Sequence, residues 1–202
     1  MPRKDRIVLP HYPHNFVQRG NSCQAVFLDL ANYLCYLATL EQFKAAYGQK
    51  VYAFCLMTNH AQLLAQPSEQ TSGMASLMKR LSGRQTSYRD KLEGRSSTPW
   101  ESRFKSSPVQ TDRYALACKR YIELISVRAR MVSNPADYQR SSYAGSNGEN
   151  RFSWLDFGPC YLMLGTTYGE SRVRYREHVH CSTPWPSKST KSTESPACRV
   201  LT

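Results

Sequence analysis

The chain has 202 residues and a mass of 23.1 kDa, enough for one well-packed domain with a tail and too few to require two. Its formal charge is +12, so a polyanion is the expected partner, with a merely basic protein such as a ribosomal one as the alternative. No apolar run approaches the length of a membrane span, and the first residues lack the apolar core of a signal peptide. We therefore expect a cytoplasmic protein without a membrane partner.

Strand and helix patterns alternate through the first part of the chain. Residues 14–21 are predicted to form a first strand that ends in a Gly-Asn turn. Asp29 is placed to cap a long helix that runs to Tyr47. Residues 50–57 and 60–66 are two apolar runs separated by Thr-Asn and closed by a proline, which predicts an antiparallel hairpin.

The middle of the chain continues this alternation. Apolar residues recur at helical spacing over residues 71–93, with basic residues on the other side, which predicts an amphipathic helix with a basic face. Residues 102–109 alternate in strand fashion, and Pro108 favours an edge position. Asp112 is expected to cap the helix that carries Tyr121.

The last third of the chain has a different composition. Residues 133–158 are rich in Ser, Asn, Gly and Pro, which predicts loop. Thr167 and the glutamate three residues later form a capping box that opens a short helix through about Val179. From residue 182 onward the Ser, Thr, Lys and Pro content predicts disorder.

The order of these elements predicts the fold class. Strand, helix, strand, strand, helix, strand, helix is typical of an α+β fold with a ferredoxin-like antiparallel sheet and helices packed on one face. We assign residues 1–132 to this ferredoxin-like domain, 133–181 to a C-terminal extension with a loop and a short helix, and 182–202 to a disordered tail. The other face of the sheet is expected to stay open for a ligand.

Two polar side chains, His60 and Gln62, interrupt the apolar strand predicted at residues 60–66. Residues two apart on a strand point to the same side and stand about 6 to 7 Å apart, close enough to share one metal ion. Tyr121 adds a phenolic oxygen, and a metal pair with a tyrosine suggests phosphoryl transfer. The alternatives are a packed or surface histidine and a core tyrosine, since the chain has 13 tyrosines.

Short motifs are spaced along most of the chain in a fixed order. They are Arg6–Pro10 with Val17–Asn21, Leu56–Leu64, Trp100–Phe104, Arg120–Leu124 with Val127–Ala129, and Ser141–Tyr143. In this order they resemble motifs of the single-strand tyrosine transposases of the His-hydrophobic-His superfamily. The resemblance is greatest to the tyrosine transposase-like proteins associated with repetitive extragenic palindromes (REP).

That resemblance implies a transposase-like endonuclease and strand transferase that acts on palindromic hairpins of single-stranded DNA. In such proteins the tyrosine attacks a phosphodiester and leaves a 5′-phosphotyrosine and a free 3′-hydroxyl. A divalent ion, held by the histidine pair and a third polar ligand, polarises the phosphate. By position, Tyr121 is the implied nucleophile, His60 and Gln62 are the implied metal ligands, and Mg²⁺ or Mn²⁺ is the implied cofactor.

The chain departs from the family pattern at two positions of the metal site. Gln62 replaces the second histidine, and Ile125 stands where the third ligand is expected. An amide oxygen can bind Mg²⁺, whereas an isoleucine binds no metal. Glu123 is a conceivable substitute ligand, although it lies about 200° around the helix from Tyr121. The sequence therefore leaves an active nuclease and a catalytically impaired DNA-binding protein as alternatives.

Basic and polar side chains near the predicted open face and along the helix of residues 71–93 are candidates for phosphate contact, with a solvated surface as the alternative. The candidates are Arg19, Asn21, Arg80, Arg84, Arg103, Lys105 and Arg128. RNA binding on the open sheet is a weaker alternative, because the predicted first and fourth strands lack the expected paired aromatics. His178 and His180 spell the literal His-hydrophobic-His pattern, but residues two apart diverge on a helix, so we do not expect a metal there.

Overall fold

The computed structural model describes residues 8–94, 97–109, 112–149 and 151–181. A four-stranded antiparallel sheet lies at its centre, in the order β2-β3-β1-β4. The strands are β1 (His14–Arg19), β2 (Lys50–Met57), β3 (His60–Gln66) and β4 (Lys105–Pro108). Pro108 lies on the edge strand β4, where its missing N–H breaks no ladder.

Three long or medium helices follow the strands in the predicted order. These are α1 (Leu30–Ala46), α2 (Ser72–Glu93) and α3 (Asp112–Glu123). The carboxylate of Asp29 accepts a 2.7 Å hydrogen bond from the backbone N–H of Asn32 and so caps α1 as predicted. This βαββαβα order and the 2-3-1-4 strand order confirm the ferredoxin-like α+β fold.

Helices α1 and α2 pack together on the first face of the sheet. Phe16, Phe54 and Leu63 extend from three strands into this core and meet Leu40 of α1 and Leu77 of α2, all of them at most 1% exposed. The apolar periodicity of α2 therefore has its physical cause in burial against the sheet.

The second face of the sheet is only half open, which corrects the expectation of a free face. Helix α3 covers the half formed by β2 and β3, with Ala115, Cys118 and Ile122 packed against Cys55 and Leu64. The half formed by β1 and β4 keeps exposed side chains, among them Arg19 and Lys105. A ligand of this face therefore lies beside α3 rather than across the whole sheet.

The C-terminal segment is more structured than its composition predicts. It contains α4 (Ile125–Arg128), a 3₁₀ turn at Pro135–Asp137, α5 (Tyr143–Ser146), α6 (Pro159–Leu162) and α7 (Tyr168–His180). The prediction of loop over 133–158 is wrong at the 3₁₀ turn and at α5, while the predicted cap of α7 is present, with Thr167 accepting from Glu170 N–H at 3.2 Å. The predicted disordered tail, 182–202, lies outside the described residues.

The same segment protects the outer edge of β2. The backbone N–H of Leu56 donates to Arg140 O at 2.9 Å, and Ser142 N–H donates to Phe54 O at 2.9 Å. A covered edge cannot pair with a second chain. Leu155 packs into the core between the first face of the sheet and helices α1 and α2, called the α1–α2 core below. Tyr138 packs into the core between the second face and α3, called the α3 core below. The C-terminal segment therefore contributes to both cores. Within the described ranges, no helix combines the length and the apolar character needed to cross a membrane.

Candidate active site

His60 and Gln62 point to the second face of the sheet, beside α3. Their neighbours Ala61 and Leu63 pack into the α1–α2 core, and Leu64, two residues after Gln62, packs into the α3 core. Because side chains alternate along a strand, His60, Gln62 and Leu64 share the face that α3 partly covers. The shared orientation predicted for His60 and Gln62 is therefore present.

The hairpin tip that carries His60 is held against the end of β1. Gly20 N–H donates to Asn59 O at 2.7 Å, and a Cβ at position 20 would lie 2.4 Å from Gln24 O. Only glycine allows this close approach. His60 then stands opposite Arg19 in the strand register, and its Nδ1 lies 2.8 Å from Asn59 Oδ1. This contact leaves Nε2 as the nitrogen that could bind a ligand.

The imidazole of His60 is neutral at physiological pH. Burial lowers its pKa from 6.5 to about 4, with a smaller contribution from the charge of Arg19. The unfolded chain therefore binds more protons between these two values, and the free energy of unfolding should fall as pH drops from 6.5 to about 4. A neutral imidazole is the form that binds a metal.

Arg19→Ala should raise the pKa of His60 without restoring its ordinary value, because burial is the larger cause. The measurement is an NMR titration of the imidazole Cε1–H signals between pH 3 and 8, with His60→Asn used to assign the signal. An Arg103→Ala variant serves as the control, since this exposed arginine is not among the groups that shift His60. A His60 signal that titrates near 6.5 in the unmodified protein would contradict the predicted burial effect.

Gln62 is positioned by a residue that the sequence gave no reason to select. Its Nε2 donates a 2.9 Å hydrogen bond to Asn15 Oδ1 on β1, and its side chain is buried. This bond leaves the amide oxygen as the atom that could bind a ligand. The strand register, which sets Asn15 opposite Leu64, is the signal that could have identified Asn15.

Tyr121 borders the same stretch of the sheet. It is half-buried on α3 and packs against the core that contains Cys55 and Met57, the residues of β2 that pair with Gln62 and His60. The guanidinium carbon of Arg128 lies 4.8 Å from the centroid of the Tyr121 ring. Tyr121, Arg128, His60 and Gln62 thus belong to one side of the sheet, as the proposed chemistry requires.

The two other residues considered for the metal site do not contribute a ligand. Ile125 is 9% exposed and belongs to the α3 core, so an apolar group occupies the side of the helix next to Tyr121. Glu123 is fully buried and accepts hydrogen bonds from Tyr175 and from two serines of the C-terminal segment. The suggestion that Glu123 replaces the missing ligand is therefore wrong.

Residues 25–124 match the family model described as IS200-like transposase. The match spans just under half of the chain, which is similar to this family over these residues. No curated protein sequence matches it significantly. The solved structure of a REP-associated tyrosine transposase bound to a REP hairpin superposes with a TM-score of 0.61 at 13% identity, covering 79% of this chain and 93% of that one. A transposase candidate from Deinococcus radiodurans R1 gives a TM-score of 0.41 at 17% identity, covering 60% of this chain and 96% of that one.

The similarity to IS200-like transposases, together with the shared fold, supports a transposase-like function on DNA. The structure separates the predicted DNA-contact residues into two groups. Five of the seven lie around the second face or at the hairpin end of the sheet. They are Arg19 opposite His60, Lys105 opposite Val17, Arg128 beside Tyr121, and Asn21 and Arg103, exposed near the end of β1 and in the loop before β4.

Arg80 and Arg84 lie in the opposite layer of the protein, on α2. Both guanidinium groups stack over Phe43 of α1, at 5.5 and 5.0 Å from the ring centroid, and Arg84 donates to Gln42 at 3.0 Å. Because α2 packs on the first face of the sheet, these two arginines do not adjoin the second face. A phosphate contact made from that layer stays a prediction.

The second His-hydrophobic-His pattern lies in the C-terminal segment. His178 and His180 lie on α7, and His180 Nε2 is 3.3 Å from the Tyr143 hydroxyl. Across the described residues, no group of three or more His, Cys, Asp or Glu could hold a metal ion. At the main site, His60 and Gln62 are the two candidate ligands that share a face of the sheet.

Proposed function

We propose that this protein is a transposase-like endonuclease and strand transferase for single-stranded DNA that folds into palindromic hairpins. The observation that carries the proposal is the position of Tyr121, half-buried beside Arg128 on the side of the sheet that bears His60 and Gln62. The structural neighbour solved with a REP hairpin supports a hairpin as the substrate class. The net charge of +12 supports a polyanionic partner.

The proposed reaction exchanges one phosphodiester for another. The phenolic oxygen of Tyr121 attacks the phosphorus, the new bond joins this oxygen to the 5′-phosphate, and the bond to the 3′-oxygen breaks. The phenolic proton is lost and the departing oxygen gains a proton to become a free 3′-hydroxyl. Arg128, beside the phenol ring, is placed to stabilise the negative charge of the phosphate. Rejoining reverses the same steps.

A divalent ion fits the donor atoms only as a weakly held cofactor. His60 Nε2 and Gln62 Oε1 are neutral ligands, and Mg²⁺ commonly takes few protein ligands together with water and substrate phosphate. We therefore propose that His60 and Gln62 would hold Mg²⁺ or Mn²⁺ when DNA is bound. The ion would polarise the scissile phosphate. The hydrogen bond from Gln62 to Asn15 orients the amide for this role.

The experiment is incubation of the full chain with an end-labelled palindromic hairpin that has single-stranded flanks. We expect a covalent protein–DNA adduct, resistant to denaturing electrophoresis, that forms with Mg²⁺ or Mn²⁺ and not with excess chelator. A duplex of the same composition without a hairpin is the control substrate. Binding of the hairpin without any adduct would overturn the proposed nuclease.

A second candidate function is hairpin binding without cleavage. It is favoured by the apolar Ile125 next to Tyr121 and by the engagement of Glu123 within a buried cluster, which together leave the ion two ligands. In that case the basic groups on the second face would still hold DNA through phosphate contacts. The adduct assay separates the two candidates directly.

Rebuilding the family's ligands should improve the chemistry if the metal site limits it. We expect Gln62→His with Ile125→Asn to raise the rate of adduct formation by at least about tenfold, a scale typical of changes around metal ligands. The measurement is the initial rate at a fixed Mn²⁺ concentration. Gln62→His alone is the control, since it leaves Ile125 in place. No gain in the double variant would show that another defect limits cleavage.

Arg128 should contribute to DNA affinity through one phosphate contact. Arg128→Ala is expected to weaken hairpin binding and to reduce the slope of log K against log salt concentration by about 1. Arg84→Ala is the matched control, because this arginine stacks on Phe43 in the opposite layer. Fluorescence anisotropy at four salt concentrations measures both variants. Equal losses in the two variants would contradict the assignment of the second face as the DNA surface.

A further inference from the structure

A buried polar cluster lies behind the tyrosine helix. Glu123 Oε1 lies 2.9 Å from Lys119 Nζ and accepts hydrogen bonds from Ser142 Oγ and Ser146 Oγ, each at 2.6 Å. Glu123 Oε2 accepts a 2.5 Å hydrogen bond from the Tyr175 hydroxyl. All five residues are buried, and Glu123 and Tyr175 are fully buried. We call these five residues the Glu123 cluster.

The Glu123 cluster joins three parts of the molecule at one point. Lys119 and Glu123 belong to α3, whereas Ser142, Ser146 and Tyr175 belong to the C-terminal segment. Lys119 Nζ also donates to the backbone oxygen of Tyr52 on β2 at 2.7 Å. One ammonium and one carboxylate therefore fix α3 against both the sheet and the C-terminal helices.

The spacing of the cluster along α3 relates it to Tyr121. Lys119 and Glu123 lie two residues before and two residues after Tyr121, which turns them about 200° away from it on a helix. Tyr121 consequently lies toward the second face of the sheet, while the Glu123 cluster holds the other side of its helix. A rotation or shift of α3 would break charge-assisted hydrogen bonds in a buried, low-dielectric setting, where they are strongest.

We infer that Glu123 is a positioning residue, which sets the orientation of α3 and thereby directs the Tyr121 hydroxyl toward the DNA phosphate. This role depends on the proposed function for its consequence in catalysis. The C-terminal segment is then part of the active-site apparatus, since its three hydroxyl groups hold the carboxylate. Reaction of a phenol with a phosphate requires alignment, and a displacement of about 1 Å can cost about 100-fold in rate.

The test compares two tyrosine-to-phenylalanine variants in the same aromatic core. Tyr175→Phe removes a donor to Glu123 and keeps the ring. Tyr161→Phe removes a hydroxyl that donates to Ser146 O at 2.8 Å, from a ring 5.1 Å away from that of Tyr175. Both variants lose one buried hydrogen bond, but only the first loses a bond to the carboxylate that holds α3.

Hydrogen–deuterium exchange and adduct formation provide the two measurements. For Tyr175→Phe we expect exchange in a peptide covering residues 112–124 to accelerate about 10- to 100-fold relative to residues 50–57, the scale for losing a hydrogen bond to a charged group. The adduct rate should fall at least about tenfold, with unchanged hairpin affinity. Tyr161→Phe should change neither the ratio of the two exchange rates nor the adduct rate.

These measurements separate failure of the positioning role of Glu123 from failure of the proposed nuclease function. Uniform acceleration of exchange in both variants, or equal adduct rates in Tyr175→Phe and the unmodified protein, would overturn the positioning role and reduce the cluster to a structural one. If the unmodified protein forms no adduct, the proposed nuclease fails. The ratio of exchange rates at α3 and β2 would then still decide whether Glu123 holds the tyrosine helix.

Discussion

Tyr121→Phe is expected to abolish the covalent protein–DNA adduct while hairpin affinity stays within about threefold, since the ring and its packing are retained. Removing the attacking oxygen leaves no hydroxyl at position 121 to form the phosphoester. In covalent catalysts, loss of the nucleophile or its partners costs on the order of 10⁴- to 10⁶-fold in rate. Electrophoresis of the labelled hairpin after denaturation measures the adduct, and fluorescence anisotropy measures the affinity.

The same helix offers a matched control for this substitution. Tyr114 is also half-buried on α3 and also packs against the α3 core. Tyr114→Phe should therefore leave the adduct unchanged. If the adduct survives Tyr121→Phe and disappears in Tyr114→Phe, the nucleophile is Tyr114, two turns earlier on the helix. If the adduct survives in both variants, the nucleophile lies on another element.

The bounds of the two strands in the β-hairpin that carries His60 and Gln62 could be predicted from sequence to the exact residue. Two apolar runs, a Thr-Asn turn and a terminating Pro67 agree on the same register, and the structure has β2 and β3 at the predicted bounds. A period of two then determines which side chains share a face. For this reason the shared orientation of His60 and Gln62 followed without any knowledge of tertiary packing.

The layer in which each helix packs could not be predicted in the same way. An apolar stripe shows that a helix is buried, but it does not identify the surface that covers it. The stripe of α3 lies on the second face of the sheet, whereas that of α2 lies on the first. The sequence therefore did not show that Arg80 and Arg84, on the polar side of α2, lie in the layer away from His60. Arg19 and Lys105 lie on the second face because side chains alternate along each strand and β1 pairs directly with β4.

The Glu123 cluster was missed because its sequence signal has a more common meaning. Lys119 and Glu123 are four residues apart, a spacing that usually marks an exposed ion pair on a helix surface. Their burial depends on Ser142, Ser146 and Tyr175, which lie between 19 and 52 residues further along the chain than Glu123. A contact of that sequence separation leaves no local pattern.

Glu123→Ala is expected to lower the free energy of unfolding by about 3 to 5 kcal/mol, the largest stability loss we predict for a single substitution in this protein. The ammonium of Lys119 would remain buried without its carboxylate, and three hydroxyl groups would lose their acceptor. Urea unfolding followed by circular dichroism measures the loss. Glu177→Ala, at an exposed position of α7, is the control and should change stability by less than about 0.5 kcal/mol.

A double variant distinguishes the buried charge from the loss of packing. Lys119→Met with Glu123→Leu removes both charges and keeps most of the volume, so it should be more stable than either Lys119→Met or Glu123→Leu alone. The difference between the double variant and the sum of the single ones is the coupling energy, expected at about 2 to 3 kcal/mol for residues in direct contact. Strictly additive losses would show that the two charges act independently. The stability loss in Glu123→Ala would then come from the cavity and from the three hydroxyl groups without an acceptor, and not from the broken ion pair.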